Sequence, residues 1–268
     1  MITNAMPKRS KLTFLGTGTS QGVPVIGCRC EVCRSTDPRD NRMRTSAMVE
    51  VGEKRFIIDA GPDFRMQMLR EQVSHITAIL LTHMHKDHIG GIDDVRALNF
   101  VDYPKVHTVH IYATPDTVAC VRKDYDYAFA SAEERYRGVP EIRLHEIDPS
   151  QPFVVDGVEI VPIVGGHSRF AVTGYRIGDL AYMTDFKQIA DEELQKLAGV
   201  HTLVVNALRF EPHDSHFSVA EALAIAARVA PAQVYLTHMS HEIGLHAEAE
   251  QQLPEGVHFA YDGLKIEF

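Results

Sequence analysis

The stretch Ile79–Ile92, ILLTHMHKDHIGGI, constrains this chain more than any other feature. An apolar run ends at Thr82, and His83, His85, Asp87 and His88 follow within six positions. On extended backbone, side chains two apart project to the same face, so His83 and His85 can reach one ion. Asp87 and His88 stand where the pattern turns helical, directed toward a second ion beside the first. One exposed histidine needs no ligand role. Four nitrogen and oxygen donors crowded at a strand-to-helix junction point to metal.

More donors recur at the ends of apolar runs. His167 follows VEIVPIVGG, Asp185 follows LAYMT and His238 follows QVYLT. Such placement is expected when a site is assembled at one edge of packed sheets. Strands are read at Lys11–Leu15, Ala47–Val51, Arg55–Asp59, Ala78–Thr82, Val109–Ala113, Val158–Val164, Gly174–Ile177, Ala181–Thr184, Thr202–Val205 and Gln233–Thr237. Helices are read at Ile89–Asn99, Asp116–Lys123, Asp191–Leu197 and Val219–Val229. The last is best signalled, because Ser218 and Glu221 match a capping box ahead of an alanine-rich run. Residues 102–145 carry the weakest pattern and read as a variable insertion within one domain spanning 1–268.

The H-x-H-x-D-H pattern resembles the signature of the metallo-β-lactamase superfamily. The resemblance implies an α/β four-layer αββα sandwich with its metal site at one edge of the two sheets. It assigns His83, His85 and His167 to one divalent ion (zinc or manganese) and Asp87, His88 and His238 to another, with Asp185 bridging. Two ions about 3.5–4 Å apart share a hydroxide as nucleophile and stabilise charge on the attacked centre. Asp87 therefore counts among the catalytic residues. Asp59, in FIIDAG, resembles the family's early strand-end aspartate and is expected to orient a ligand rather than bind metal.

Cys28, Cys30 and Cys33 are bunched, which in a reducing compartment suggests metal rather than disulfides; Cys120 stands alone and reads as core filling. The C-x-C-x-x-C cluster follows a Gly-rich stretch, Gly16–Gly22, that lacks the lysine of a nucleotide loop and reads as a tight turn. This region resembles the cyclic phosphodiesterases of the carbon–phosphorus lyase pathway. That resemblance adds His241 to the three cysteines as ligands of a structural zinc, a closed four-donor site with no position for substrate. It also marks His216, in SHFS, as a proton donor to the leaving oxygen or a hydrogen-bond donor to the phosphoryl group. Arg96, in DDVRALNF, is a candidate contact for substrate phosphate. Eight further histidines, His75 and His107 among them, match no motif.

The expected activity is hydrolysis of a small cyclic or activated phosphodiester. A tRNA 3′-end endonuclease, a coenzyme-biosynthesis protein of the pyrroloquinoline quinone pathway and a scaffold with a relict site are the alternatives. The net charge of −9 argues against a general grip on nucleic acid. No stretch approaches a membrane span, and the leading residues lack the apolar segment of a signal peptide, so a cytoplasmic protein is expected. The resemblance also suggests a homodimer.

Overall fold

The computed structural model describes residues 10–131, 133–136 and 138–268. The leader read for a signal peptide lies, apart from Ser10 and Lys11, outside the described residues. The first sheet takes β1 (Lys11–Gly16), β2 (Ser46–Val51), β3 (Lys54–Ile58), β4 (Ala78–Leu80), β5 (Val109–Ala113) and β6 (Ile142–Glu146) in that spatial order. β1 to β3 are antiparallel neighbours, whereas β3 to β6 run parallel. The second sheet is built from β7 (Phe153–Val155), β8 (Val158–His167), β9 (Phe170–Ile177), β10 (Leu180–Met183), β11 (Gln188–Ile189), β12 (Thr202–Asn206), β13 (Gln233–Thr237) and β14 (Val257–Phe259). Its order is β11-β8-β9-β10-β12-β13-β14, with β7 paired to β8. A last strand, β15 (Lys265–Glu267), closes the outer side of β1.

Alternation along the strands sorts side chains into layers. Leu12 and Phe14 of β1, Val49 of β2 and Phe56 and Ile58 of β3 share a core with Tyr175, Tyr182 and Val204 of the second sheet. Their neighbours Leu15, Met48 and Ile57 point the other way. There they meet α1 (Phe64–Arg70), α2 (Lys86–Ile89), α3 (Arg96–Asn99) and α4 (Pro115–Asp124) through Phe64, Met68, Ile89, Leu98 and Val118. On the far side, Leu203, Val205 and Leu236 pack against α5 (Asp191–Gln195), α6 (Val219–Val229) and α7 (His246–Ala249). Three apolar cores between four layers give the expected αββα sandwich. α6 carries the anticipated capping box: Ser218 N–H donates to Glu221 Oε2 at 2.8 Å, and Ser218 Oγ accepts from Glu221 N–H at 3.3 Å. Such a cap contributes about 1 kcal/mol.

Two sequence expectations change. The helix read at Ile89–Asn99 is broken into α2, a 3₁₀ turn at Ile92–Val95 and α3. The break falls at Gly90 and Gly91, and position 91 requires glycine because a Cβ there would lie 2.0 Å from the carbonyl oxygen of Gly61. Residues 102–145 contribute β5, α4 and β6, so much of this segment is built into the first sheet. Cys120 is partly buried against the helix-side core, as expected. Among the described residues no helix is long and apolar enough to cross a membrane.

Candidate metal centre

Five strand ends converge. Asp59 follows β3, His83 and His85 follow β4, His167 closes β8, Asp185 follows β10 and His238 follows β13. Asp59, Asp185 and His238 all adopt the left-handed backbone region, with φ of 64°, 63° and 61°. For residues with a Cβ this costs of order 1–3 kcal/mol each and persists where surrounding contacts over-determine it. The turns bring strand-end side chains back across the sheet edge.

His83, His85 and His167 form one group whose ligand atoms lie within 4.8 Å of one another; Asp87, His88, Asp185 and His238 form a second on the same criterion. Asp185 faces both. Its Oδ1 lies 3.1 Å from His238 Nε2 and 4.0 Å from His167 Nε2, and its Oδ2 lies 3.1 Å from His88 Nε2. Asp59 accepts at Oδ2 from His88 Nδ1 at 2.7 Å, and its carboxylate also accepts the Thr82 amide and hydroxyl. That contact turns His88 Nε2 inward.

The donors fit divalent cations on an internal test. His88 Nε2 and His238 Nε2 are buried with no hydrogen-bond partner among the described residues, although carboxylate oxygens lie 3.1 Å from each; His238 Nδ1 is likewise buried without a hydrogen-bond partner among them. Buried polar atoms of this kind normally find partners. Nitrogen and carboxylate atoms facing one another out of hydrogen-bond geometry suit a shared ion, and this donor chemistry suits zinc or manganese. Charge agrees. Burial opposes a charged His88, but the carboxylates of Asp185, Asp59 and Asp87 outweigh it and hold its pKa well above the ordinary imidazole range. Burial likewise opposes a charged Asp185, yet His238 and His88 keep it well below the usual carboxylate range. The carboxylate field thus favours positive charge where the ligand atoms converge.

The cysteine cluster passes a geometric test of its own. His241 Nδ1 lies 3.4, 3.3 and 3.6 Å from the sulfurs of Cys28, Cys30 and Cys33. Tetrahedral zinc with Zn–S of about 2.3 Å and Zn–N of about 2.0–2.1 Å sets S···N at about 3.6 Å. His241 opens a short turn just after β13, so this cluster ties the early loop to the strand that delivers His238.

A cavity of about 350 Å³ opens over the donors, lined by Ser20, His85, Asp87, His167, Ser168, Arg169, Phe170, Asp185, Ser215 and His216. His216 Nε2 lies 3.0 Å from Asp185 Oδ1, and its Nδ1 lies 2.9 Å from the Ser215 hydroxyl. Arg96 is placed elsewhere: it pairs with Asp93 at 3.0 Å, touches Tyr136 and does not line the cavity. Arg169 lines it, the one arginine or lysine among the described lining residues, with its guanidinium 4.9 Å from the Phe170 ring centroid. Sequence reading missed it. The available signal was the two-residue turn of Ser168 and Arg169 between β8 and β9, directly after a ligand.

A family model described as a beta-lactamase superfamily domain matches residues 54–239, a span holding every donor of the two facing groups. The chain belongs to the metallo-β-lactamase superfamily. The fold of this superfamily implies bound divalent metal. Among solved structures it is similar to one described as a new diphosphatase from the PhnP family, at 40% identity and a TM-score of 0.89 over 97% of each chain. It is 38% identical over 255 residues to an octanoyltransferase of Porphyromonas gingivalis, a match covering 94% of this chain and 50% of that protein. The metallo-β-lactamase chain thus spans half the length of that relative. A ribonuclease Z of a Mycobacterium species is 26% identical over 90% of this chain and 87% of its own length.

Proposed function

We propose that the chain hydrolyses small substrates whose phosphorus lies between two bridging oxygens: a cyclic or activated phosphodiester, or the diphosphate linkage named for the PhnP-family relative. The observation that carries this reading is the convergence of both donor groups beneath a small cavity whose lining includes one arginine. The cavity's volume falls in the range typical of small-molecule sites. When bound, two divalent ions supply an activated water and neutralise charge on an anionic phosphoryl centre, a stronger need for a diester than for a neutral amide. The Cys28, Cys30, Cys33 and His241 set holds one structural zinc.

The chain's own residues do the rest. Asp59 fixes the ring of His88, and Asp185 holds both donor groups in register. Arg169 meets substrate oxygens at the cavity mouth, while Phe170 gives an apolar face to the substrate's organic part. His216, when protonated, holds a proton at Nε2 beside Asp185 Oδ1, 3.0 Å away, and passes it to the departing oxygen. Its Nδ1 faces the Ser215 hydroxyl at 2.9 Å, and that hydroxyl lies 3.2 Å from His213 Nδ1, so the ring is held in place from the side away from Asp185.

The test is a substrate panel with metal-loaded protein: bis-aryl, cyclic and alkyl phosphodiesters, a disubstituted diphosphate, an RNA with a 3′ trailer, a β-lactam and an acyl thioester. Cleavage of the small phosphorus substrates should dominate and vanish in Asp185→Ala. Preferred turnover of the RNA, the thioester or the β-lactam overturns the proposal.

A further inference from the structure

We propose that His75, Asp102 and His107 form a separate site for one borderline divalent cation, such as Zn²⁺, Ni²⁺ or Cu²⁺, which clips the loop before β5 onto the first sheet. None of the three takes part in the centre described above. His75 precedes β4 and His107 precedes β5, two parallel strands, whereas His83 and His85 follow β4. The cluster therefore sits at the opposite end of β4.

The donors already converge. His75 Nε2 lies 2.9 Å and His107 Nε2 2.8 Å from the same oxygen, Asp102 Oδ2, and the two rings stand edge to face at 5.3 Å. All three ligand atoms fall within 4.8 Å of one another. Two imidazoles and one carboxylate leave coordination positions for water. That donor set favours zinc, nickel or copper over magnesium or calcium.

Both histidines are held from behind. Arg55 Nη1 donates to the His75 carbonyl at 3.2 Å. Asn99, fully buried, donates to the His107 carbonyl at 2.7 Å and accepts the His107 amide at its own carbonyl at 2.9 Å. The backbone of both histidines is thus set before binding, and the ordering left to the ion falls on the exposed loop 101–106 that carries Asp102. Proton balance is simple. Each neutral ring moves its proton from Nε2 to Nδ1, freeing Nε2 for the ion; in His75 the Nδ1–H then donates to Ser74 Oγ, 3.0 Å away. A supporting acceptor of this kind is usual for metal-bound imidazole.

The experiment titrates Zn²⁺ into full-length protein whose other centres are already zinc-loaded, following heat by calorimetry and amide exchange over residues 99–107. Wild type should take up one further equivalent with slowed exchange in that loop. His75→Ala, His107→Ala and Asp102→Asn should each weaken this uptake about 100-fold, at the upper end of what losing even a supporting partner costs. Hydrolytic activity should be unchanged in all three. No further equivalent in wild type, or one retained by the His75→Ala, His107→Ala double variant, overturns the site. Uptake without slowed exchange overturns the clip.

Discussion

At the scale of single residues, His216 and Arg169 make separable contributions. His216 reaches the same carboxylate as His238 and lies near His167, so its position alone suits a ligand as well as a proton donor. Metal content distinguishes the two roles. In His216→Ala, hydrolysis of an alkyl diester should fall by about 10²–10⁴, the usual contribution of general-acid help, whereas a p-nitrophenyl diester, with its better leaving group, should lose far less. Elemental analysis should find the metal retained; loss of an ion would make His216 a ligand. Arg169 sits on a turn and touches no metal donor through a hydrogen bond or ion pair among the described residues. Its removal should raise KM about tenfold, roughly the 1.4 kcal/mol of a lost charge-assisted hydrogen bond, while kcat changes little. A kcat loss with unchanged KM would instead place Arg169 in the transition state alone.

At the scale of elements, backbone approach decides whether the ligands meet. The turn after β3 lies against the metal loop: Ala60 N–H donates to the His88 carbonyl at 2.8 Å, and Gly91 N–H donates to the Ala60 carbonyl at 2.8 Å. A Cβ on Gly61 would stand 1.9 Å from the carbonyl oxygen of Asp87, an atom of rigid backbone. Gly61→Ala should therefore cost about 3 kcal/mol or more by denaturant titration, the upper range of overpacking, and should deplete the Asp87, His88 and His238 ion. The cysteine cluster acts on a different element. Cys30→Ser should lose one zinc per chain and several degrees of melting temperature while residual activity tracks the folded fraction, because structural zinc contributes directly to folding. These elements also show what was legible. Among the candidate ligands, His83, His167, Asp185 and His238 could be read because each follows an apolar run, and His85, Asp87 and His88 because they complete the H-x-H-x-D-H pattern; α6 was legible because its cap and alanines agree. α1 was missed because Met66 and Leu69 face solvent and blur its apolar stripe. β14 and β15 were missed because three residues cannot display a period. Arg169 was missed because nothing in S-R-F marks a cavity until β8 and β9 are paired.

At the scale of the whole molecule, one buried carboxylate joins the two ends of the chain. Asp262, after β14, accepts the Thr17 amide and hydroxyl at 2.9 and 2.8 Å and the Met43 amide at 2.8 Å, with Arg70 3.6 Å away. Burial nevertheless dominates and pushes its pKa up to about 6; the Met43, Thr17 and Arg70 contacts only partly offset it. Below about pH 4 the carboxyl is protonated whether folded or unfolded, so it adds no pH dependence. Between about pH 4 and 6 the folded chain holds a proton that the unfolded chain has released, so stability falls as pH rises. Above that window the loss is complete, of order 3 kcal/mol for a shift of about two units. Carboxylates held low by arginine or lysine, such as Asp37 and Glu71, give the opposite slope, so only a difference measurement isolates Asp262. Asp262→Asn keeps one acceptor for Thr17, surrenders the bond from Met43 and cannot ionise. Its stability relative to wild type, from urea unfolding at pH 4.5, 5.5, 6.5 and 7.5, should therefore improve steadily with pH and level off near neutrality. A difference that stays flat across that range would show that the three donated hydrogen bonds outweigh burial and that Asp262 is ionised like an exposed aspartate.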